Sequence, residues 1–187
     1  MNFSKKYTKM RKNLFTNFAE NGIINNSMKK ALVTGSFDPI TFGHIDIIMR
    51  TLSLYDMVYV GIGNNVGKVN NLLPVEERCK LIAEYFAENN KVTIFSYSSL
   101  TVDAAKKYEI DCIVRGVRNT REYEDEKEMA LTNKKLSGIE TLLMPASPEY
   151  SYISSSLVRE VFAFSKDISQ FVPENVARKL NELKGQK

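Results

Sequence analysis

The chain has 187 residues, 43% hydrophobic and 26% charged, which suits one soluble globular domain long enough to bury a core. No apolar run approaches the roughly 18 residues of a membrane span, and one histidine with two distant cysteines argues against a structural zinc site. The net charge of +4 comes from the first thirty residues, with seven Lys or Arg and one acid; the remainder holds 19 basic and 21 acidic groups, so no nucleic-acid-binding body is expected.

Residues 1–28 are polar, rich in Asn and Lys, and poor in acids. Three readings stand open for them: a disordered or weakly helical extension, sequence upstream of a start at Met28, or a transit peptide. The domain is expected over 29–187. It opens with the strand "KALVTG" and a helix from "GHIDIIMRTLSLY", whose Ile45, Ile48, Met49 and Leu52 share a face. "MVYVGIG" is the second strand, followed by the polar loop "NNVGKVNNLL". Pro74 is expected at the first position of the next helix, with two acids behind it, and Val75, Cys79, Ile82 and Phe86 form its buried face.

"KVTIFSY", a short helix "TVDAAKKY", "IDCIVRG", a long charged helix "TREYEDEKEMALTNKKLS" and "IETLLMP" follow in turn. "SSSLVREVFAF" and "PENVARKLNELK" close the chain as a C-terminal helical segment. Strands alternating with helices predict an α/β fold of the Rossmann-like kind: a single domain with a five-stranded parallel sheet, right-handed crossovers and flanking helices. Cys79 and Cys112 are expected as buried free thiols of a reducing, cytoplasmic setting.

In such a sheet, ligands bind beyond the carboxyl ends of the strands. All five strand ends carry polar or Gly-rich segments: "TGSFDP", "GNNVGK", "SSLT", "RGVR" and "PASPEYSYISSS". The first continues to the lone histidine as "TGSFDPITFGH" and matches neither GxxxxGK[ST] nor GxGxxG. It offers a small-residue turn at Gly35-Ser36, a stiffening Pro39, and His44 at a helix start, where an imidazole can donate to a phosphate oxygen that gains charge. By themselves Arg115 and Arg118 read equally as rim charges, "REYEDEKE" as a solvated face and "SSS" as a helix cap.

"TFGH" resembles the HxGH-type signature of the nucleotidylyltransferase superfamily, and "GSFDPITFGHIDII" is similar to the opening motif of the phosphopantetheine adenylyltransferase family of coenzyme A biosynthesis. "RGVRN", "YEDE", "ISSSLVREV" and "FVPENV" resemble that family's later motifs in order, so the likeness runs over about residues 29–180. The resemblance implies adenylyl transfer from ATP to 4′-phosphopantetheine with Mg2+. No carboxylate is an obvious ligand in the sequence, so Mg2+ is expected to be carried on the ATP phosphates, with no protein metal site. It assigns transition-state stabilisation and ATP binding to His44. ATP would also meet Ser36, Phe37, Gly116, Val117, Arg118, Glu126 and the segment Tyr150, Ser151, Tyr152, Ile153, Ser154, Ser155, Ser156. Ser36, Lys68, Thr101 and Arg115 would hold the acceptor.

A phosphate nucleophile is already ionised near neutral pH, which agrees with a site lacking a carboxylate pair, a nucleophilic cysteine or a Walker lysine. The resemblance also implies a homohexamer, with small-molecule substrates and neither nucleic acid nor membrane as partner. Two competing functions remain: nucleotidyl transfer to another phosphorylated acceptor, such as nicotinamide mononucleotide or glycerol phosphate, and non-catalytic nucleotide binding.

Overall fold

The computed structural model describes residues 28–64 and 71–185. Five strands, β1 (Lys30–Gly35), β2 (Met57–Gly63), β3 (Val92–Tyr97), β4 (Cys112–Val117) and β5 (Glu140–Pro145), form one sheet in the order β3-β2-β1-β4-β5. Every pairing is parallel; Val33 stands beside Val60 on one side and Val114 on the other. The described helices are α1 (Phe42–Leu52), α2 (Val75–Tyr85), α3 (Thr101–Lys107), α4 (Thr120–Ser137), α5 (Ser155–Ala163) and α6 (Glu174–Gly185).

The sheet is covered on both faces because its central strands are apolar at successive positions. Ala31, Val33, Val58, Val60 and Val114 face a core completed by α1, α2, α5 and α6. Leu32 and Ile113, one residue out of phase, join Val102, Ala105 and Ile110 on the other face. The chain leaves β1 toward β2 and β3, then returns past β1 to β4. The order therefore reverses between β1 and β4, and a crevice opens beyond their carboxyl ends.

Local chemistry sets the helix ends. Asn119 Oδ1 caps α4 by accepting from Glu122 N at 3.0 Å, and Gly138 ends it at φ 79°. Pro74 occupies the N-cap of α2, one residue before its expected place, so Val75 takes the first helical position. On α1 the buried set is Ile45, Ile47, Ile48 and Thr51, whereas Met49 is exposed. The helix is rotated toward β4 because Gly116 leaves room for Ile47; a Cβ there would lie 2.9 Å from Ile47 Cγ1. On α2, Ile82 and Phe86 are buried as expected, but Arg78 and Leu81 complete the stripe while Val75 and Cys79 stay half-buried. Cys79 and Cys112 are free thiols and only half-buried, Cys79 because it sits at the flank of that stripe and Cys112 because it opens its strand. The extension over residues 1–27 and the loop 65–70 lie outside the described residues.

Candidate active site

The loop after β1 is held from several sides. The Asp38 carboxylate accepts the backbone N–H groups of Leu72 at 2.8 Å and Leu73 at 2.9 Å. Arg159 donates to the Asp38 carbonyl at 2.7 Å, Ser155 to the Pro39 carbonyl at 2.8 Å, and Arg78 to the Ser36 carbonyl at 2.7 Å. Phe37 adopts the left-handed region at φ 45°, which turns its ring under Gly35; a Cβ on Gly35 would lie 3.3 Å from that ring. A backbone tied this way keeps its shape before any substrate arrives.

Thr41 caps α1, and His44 completes the capping box. Thr41 N donates to His44 Nδ1 at 3.1 Å. Nδ1 is therefore an acceptor, and the neutral ring carries its proton on Nε2. Burial, then the nearby charges of Arg118 and Arg115, lower the imidazole pKa from 6.5 to about 4, with Glu122 opposing. Near neutral pH the cavity meets an uncharged N–H donor backed by two guanidinium groups. Phe37 packs edge-on against this ring, with centroids 5.0 Å apart.

Both arginines are held by the first turns of α4. Glu126 takes Arg115 in a fork, Nε to Oε2 at 2.8 Å and Nη2 to Oε1, while Arg115 Nη1 donates to the Thr34 carbonyl. Glu122 accepts from Arg118 Nε at 3.1 Å and from the Arg118 backbone N–H at 3.0 Å, and Arg118 Nη1 reaches the Ile153 carbonyl at 3.0 Å. Burial works against ionising Glu122, but the hydrogen bonds from Arg118 outweigh it and hold this carboxyl below its usual range.

Two cavities meet here. The first, about 290 Å3, lies under α1 and α4. Ser36, Phe37, His44, Gly116, Arg118 and Glu126 line it, with Tyr150 and Ile153. The second, about 460 Å3, runs between the ends of β1 and β3 and the later turns of α4. Thr101 lines it, and Thr34, Gly35, Ser36 and Arg115 belong to both. The second cavity combines the cationic groups Arg78 and Arg115 with the apolar residues Leu100, Val102 and Met129 and the amide of Asn133. A chain of hydroxyls crosses it, Thr34 Oγ1 to Tyr97 at 2.9 Å and Tyr97 to Thr101 Oγ1 at 3.0 Å.

Other expected site residues stand elsewhere. Val117 is buried, and Tyr152 is exposed. Ser151 Oγ bonds the Pro148 carbonyl at 3.0 Å. Ser154 caps α5, Ser155 is spent on Pro39, and Ser156 accepts from Arg159 at 3.1 Å. These hydroxyls serve the helix start and the Asp38–Pro39 loop. Lys68 lies outside the described residues. Sequence reasoning missed Arg78, Glu122, Tyr97 and Asn133. Arg78 alone left a signal, a cation within the apolar stripe of α2. Among the described residues no group of three or more His, Cys, Asp or Glu is placed to hold a metal ion.

The cytidylyltransferase-like family model matches residues 32–161. A phosphopantetheine adenylyltransferase of Streptomyces coelicolor is 46% identical over 155 residues, 83% of this chain and 97% of the relative. That of Bacteroides thetaiotaomicron is 42% identical over 149 residues, 80% of this chain and 98% of the relative. Among solved structures, a bifunctional NMN adenylyltransferase/ADP ribose pyrophosphatase from Francisella tularensis superposes with a TM-score of 0.68 at 16% identity, over 84% of this chain and 50% of that one. A putative nicotinate-nucleotide adenylyltransferase from Vibrio parahaemolyticus gives 0.59 at 23% identity, over 82% and 99%. The two structures share the fold, and the close relatives narrow the assignment: this chain belongs to the cytidylyltransferase-like family and, within it, to the phosphopantetheine adenylyltransferases.

Proposed function

We propose that the chain moves the adenylyl group of ATP to 4′-phosphopantetheine, yielding dephospho-coenzyme A and pyrophosphate in coenzyme A biosynthesis. A phosphate oxygen of the acceptor attacks the α-phosphorus of ATP, the α–β bridging bond breaks, and pyrophosphate leaves. One observation carries this reading: two cavities share Ser36 and Arg115, beside a neutral histidine N–H donor. Two anions meeting there need alignment and charge stabilisation, and no general base.

ATP takes the first cavity, with His44 Nε2–H on the α-phosphate and Arg118, Gly116, Glu126, Tyr150 and Ile153 around the nucleotide. Glu122 and Glu126 are committed to arginines, so Mg2+ arrives as part of the ATP substrate. The acceptor takes the second cavity, its phosphate toward Ser36 and Arg115, and its amide-bearing arm along Thr101, Asn133 and the apolar wall. Lys68 belongs to the acceptor side by the family pattern.

The assembly is a homo-oligomer, a hexamer by the family pattern. It is favoured by the exposed Leu131 on α4 and by the exposed Leu142 on the edge strand β5. The setting is the cytoplasm, in keeping with two free thiols; no described helix is long and apolar enough to cross a membrane. The catalytic domain is residues 29–187 and the preceding segment an extension.

Pyrophosphate release should be followed with ATP, Mg2+ and a panel of phosphorylated acceptors. Release with 4′-phosphopantetheine is expected. Release with nicotinamide mononucleotide and none with phosphopantetheine would overturn the reading.

A further inference from the structure

Arg78 is the one buried cation among the described residues, with 2% of its surface exposed. It sits on α2 and lines the second cavity but not the first. Nη1 donates to the Ser36 carbonyl at 2.7 Å, while Nε is buried without a partner. Among the described residues no carboxylate pairs with it; Glu77 beside it is taken by Lys179 at 3.1 Å. Arg115, the other guanidinium of this cavity, is neutralised by Glu126. Residues 65–70, outside the described residues, contain no acid.

A buried charge with one hydrogen bond and no counterion is costly to a folded chain, and an apolar residue in its place is often neutral or stabilising. Structural need for the Ser36 contact does not require a charge, since any donor could bind a carbonyl. The charge has a use only when an anion enters the cavity that Arg78 lines. The acceptor's phosphate is such an anion, and it must come to rest beside Ser36 to reach the nucleotide.

We infer that Arg78 is an acceptor-specific positioning residue: it fixes Ser36 through its carbonyl and lends the second cavity an unneutralised positive charge that the acceptor's phosphate offsets. The inference rests on the proposed reaction. Its charge separates the two substrates, because ATP occupies the cavity that Arg78 does not line, while the Ser36 it holds borders both.

The test compares wild type, Arg78→Met and Arg78→Lys by steady-state kinetics with each substrate varied. The expected result for Arg78→Met is a KM for 4′-phosphopantetheine raised about tenfold or more, with the KM for ATP changed less than about twofold. Its ligand-free melting temperature should equal or exceed that of wild type, which a purely structural role would lower. Arg78→Lys keeps the charge and should restore most of the acceptor KM. If Arg78→Met does not fold, Arg78→Gln, which removes the charge but keeps a donor for the Ser36 carbonyl, decides the matter by the same split, a rise confined to the acceptor being expected. Equal rises in both KM values, or an unchanged acceptor KM, would overturn the inference. Wild type that releases no pyrophosphate with this acceptor would overturn the functional reading, and this inference with it, before any variant is compared.

Discussion

His44 acts as a neutral donor because of what its other nitrogen does. Thr41 N–H occupies Nδ1, and burial with two arginines keeps the ring from taking a second proton. A donor fixed in place, uncharged at rest and surrounded by cations suits an oxygen whose charge grows during the reaction. His44→Ala should lower kcat by about 10²–10³-fold with a much smaller change in the KM for ATP. Equal losses in the two constants would make it a ground-state ligand. The same ring has a signature in stability. The unfolded chain protonates it near pH 6.5 and the folded chain near 4, so its favourable contribution is complete above about pH 6.5 and is lost as the pH falls toward 4. The loss reaches at most ~3 kcal/mol, and His44→Gln should flatten the decline of Tm over that range. An unaltered slope would show that other groups carry it. The residue's position was legible from "TFGH"; its tautomer was not, because that depends on a backbone N–H three residues away in a turn of defined shape.

At the scale of elements, Gly116 stands in β4 one residue before its end, next to the arginine that spans both cavities, and Ile47 of α1 fills the space its missing side chain leaves. That contact rotates α1, buries Ile47 and exposes Met49. The sequence reading of α1 put Met49 inside because 3.6-residue periodicity finds a stripe but not the neighbour it packs against. Gly116→Ala should destabilise the protein by about 1–3 kcal/mol, read from denaturant unfolding, since Ile47 or the strand must move. Pairing it with Ile47→Ala, which removes both Cγ1 and Cδ1, should cost less than the sum of the two single changes, and simple additivity would locate the strain elsewhere. Helix α4 was legible over its full length as the charged segment 120–137, and the structure bounds it with the Asn119 cap and Gly138. Its acids were less so: Glu122 reads as part of a solvated face, Glu126 stands out only by the family resemblance, and both prove to clamp arginines. The serines 154–156 show the reverse, for the modest reading of "SSS" as a cap describes Ser154.

For the whole molecule, the sheet order places β1 and β4 side by side, so segments some eighty residues apart in sequence meet at one junction, Arg115 on the Thr34 carbonyl. The extension should be dispensable for that assembly. Deleting residues 1–27 should leave kcat and both KM values within about twofold of the full chain, measured by the pyrophosphate assay. A larger loss would show that the extension takes part in the site.

The strands, the described helices, the parallel α/β class and the locations of the polar strand ends were all decided by the sequence, because apolar periodicity, caps and turn residues act over a few neighbours. What only the tertiary structure decided is which charges are neutralised. Arg115 and Arg118 have carboxylates waiting, while among the described residues Arg78 has none, a difference that depends on partners brought together across elements. Tertiary contact likewise divided the site into two cavities joined at Ser36. Charge pairing and cavity shape depend on distance in space, which a linear pattern does not record.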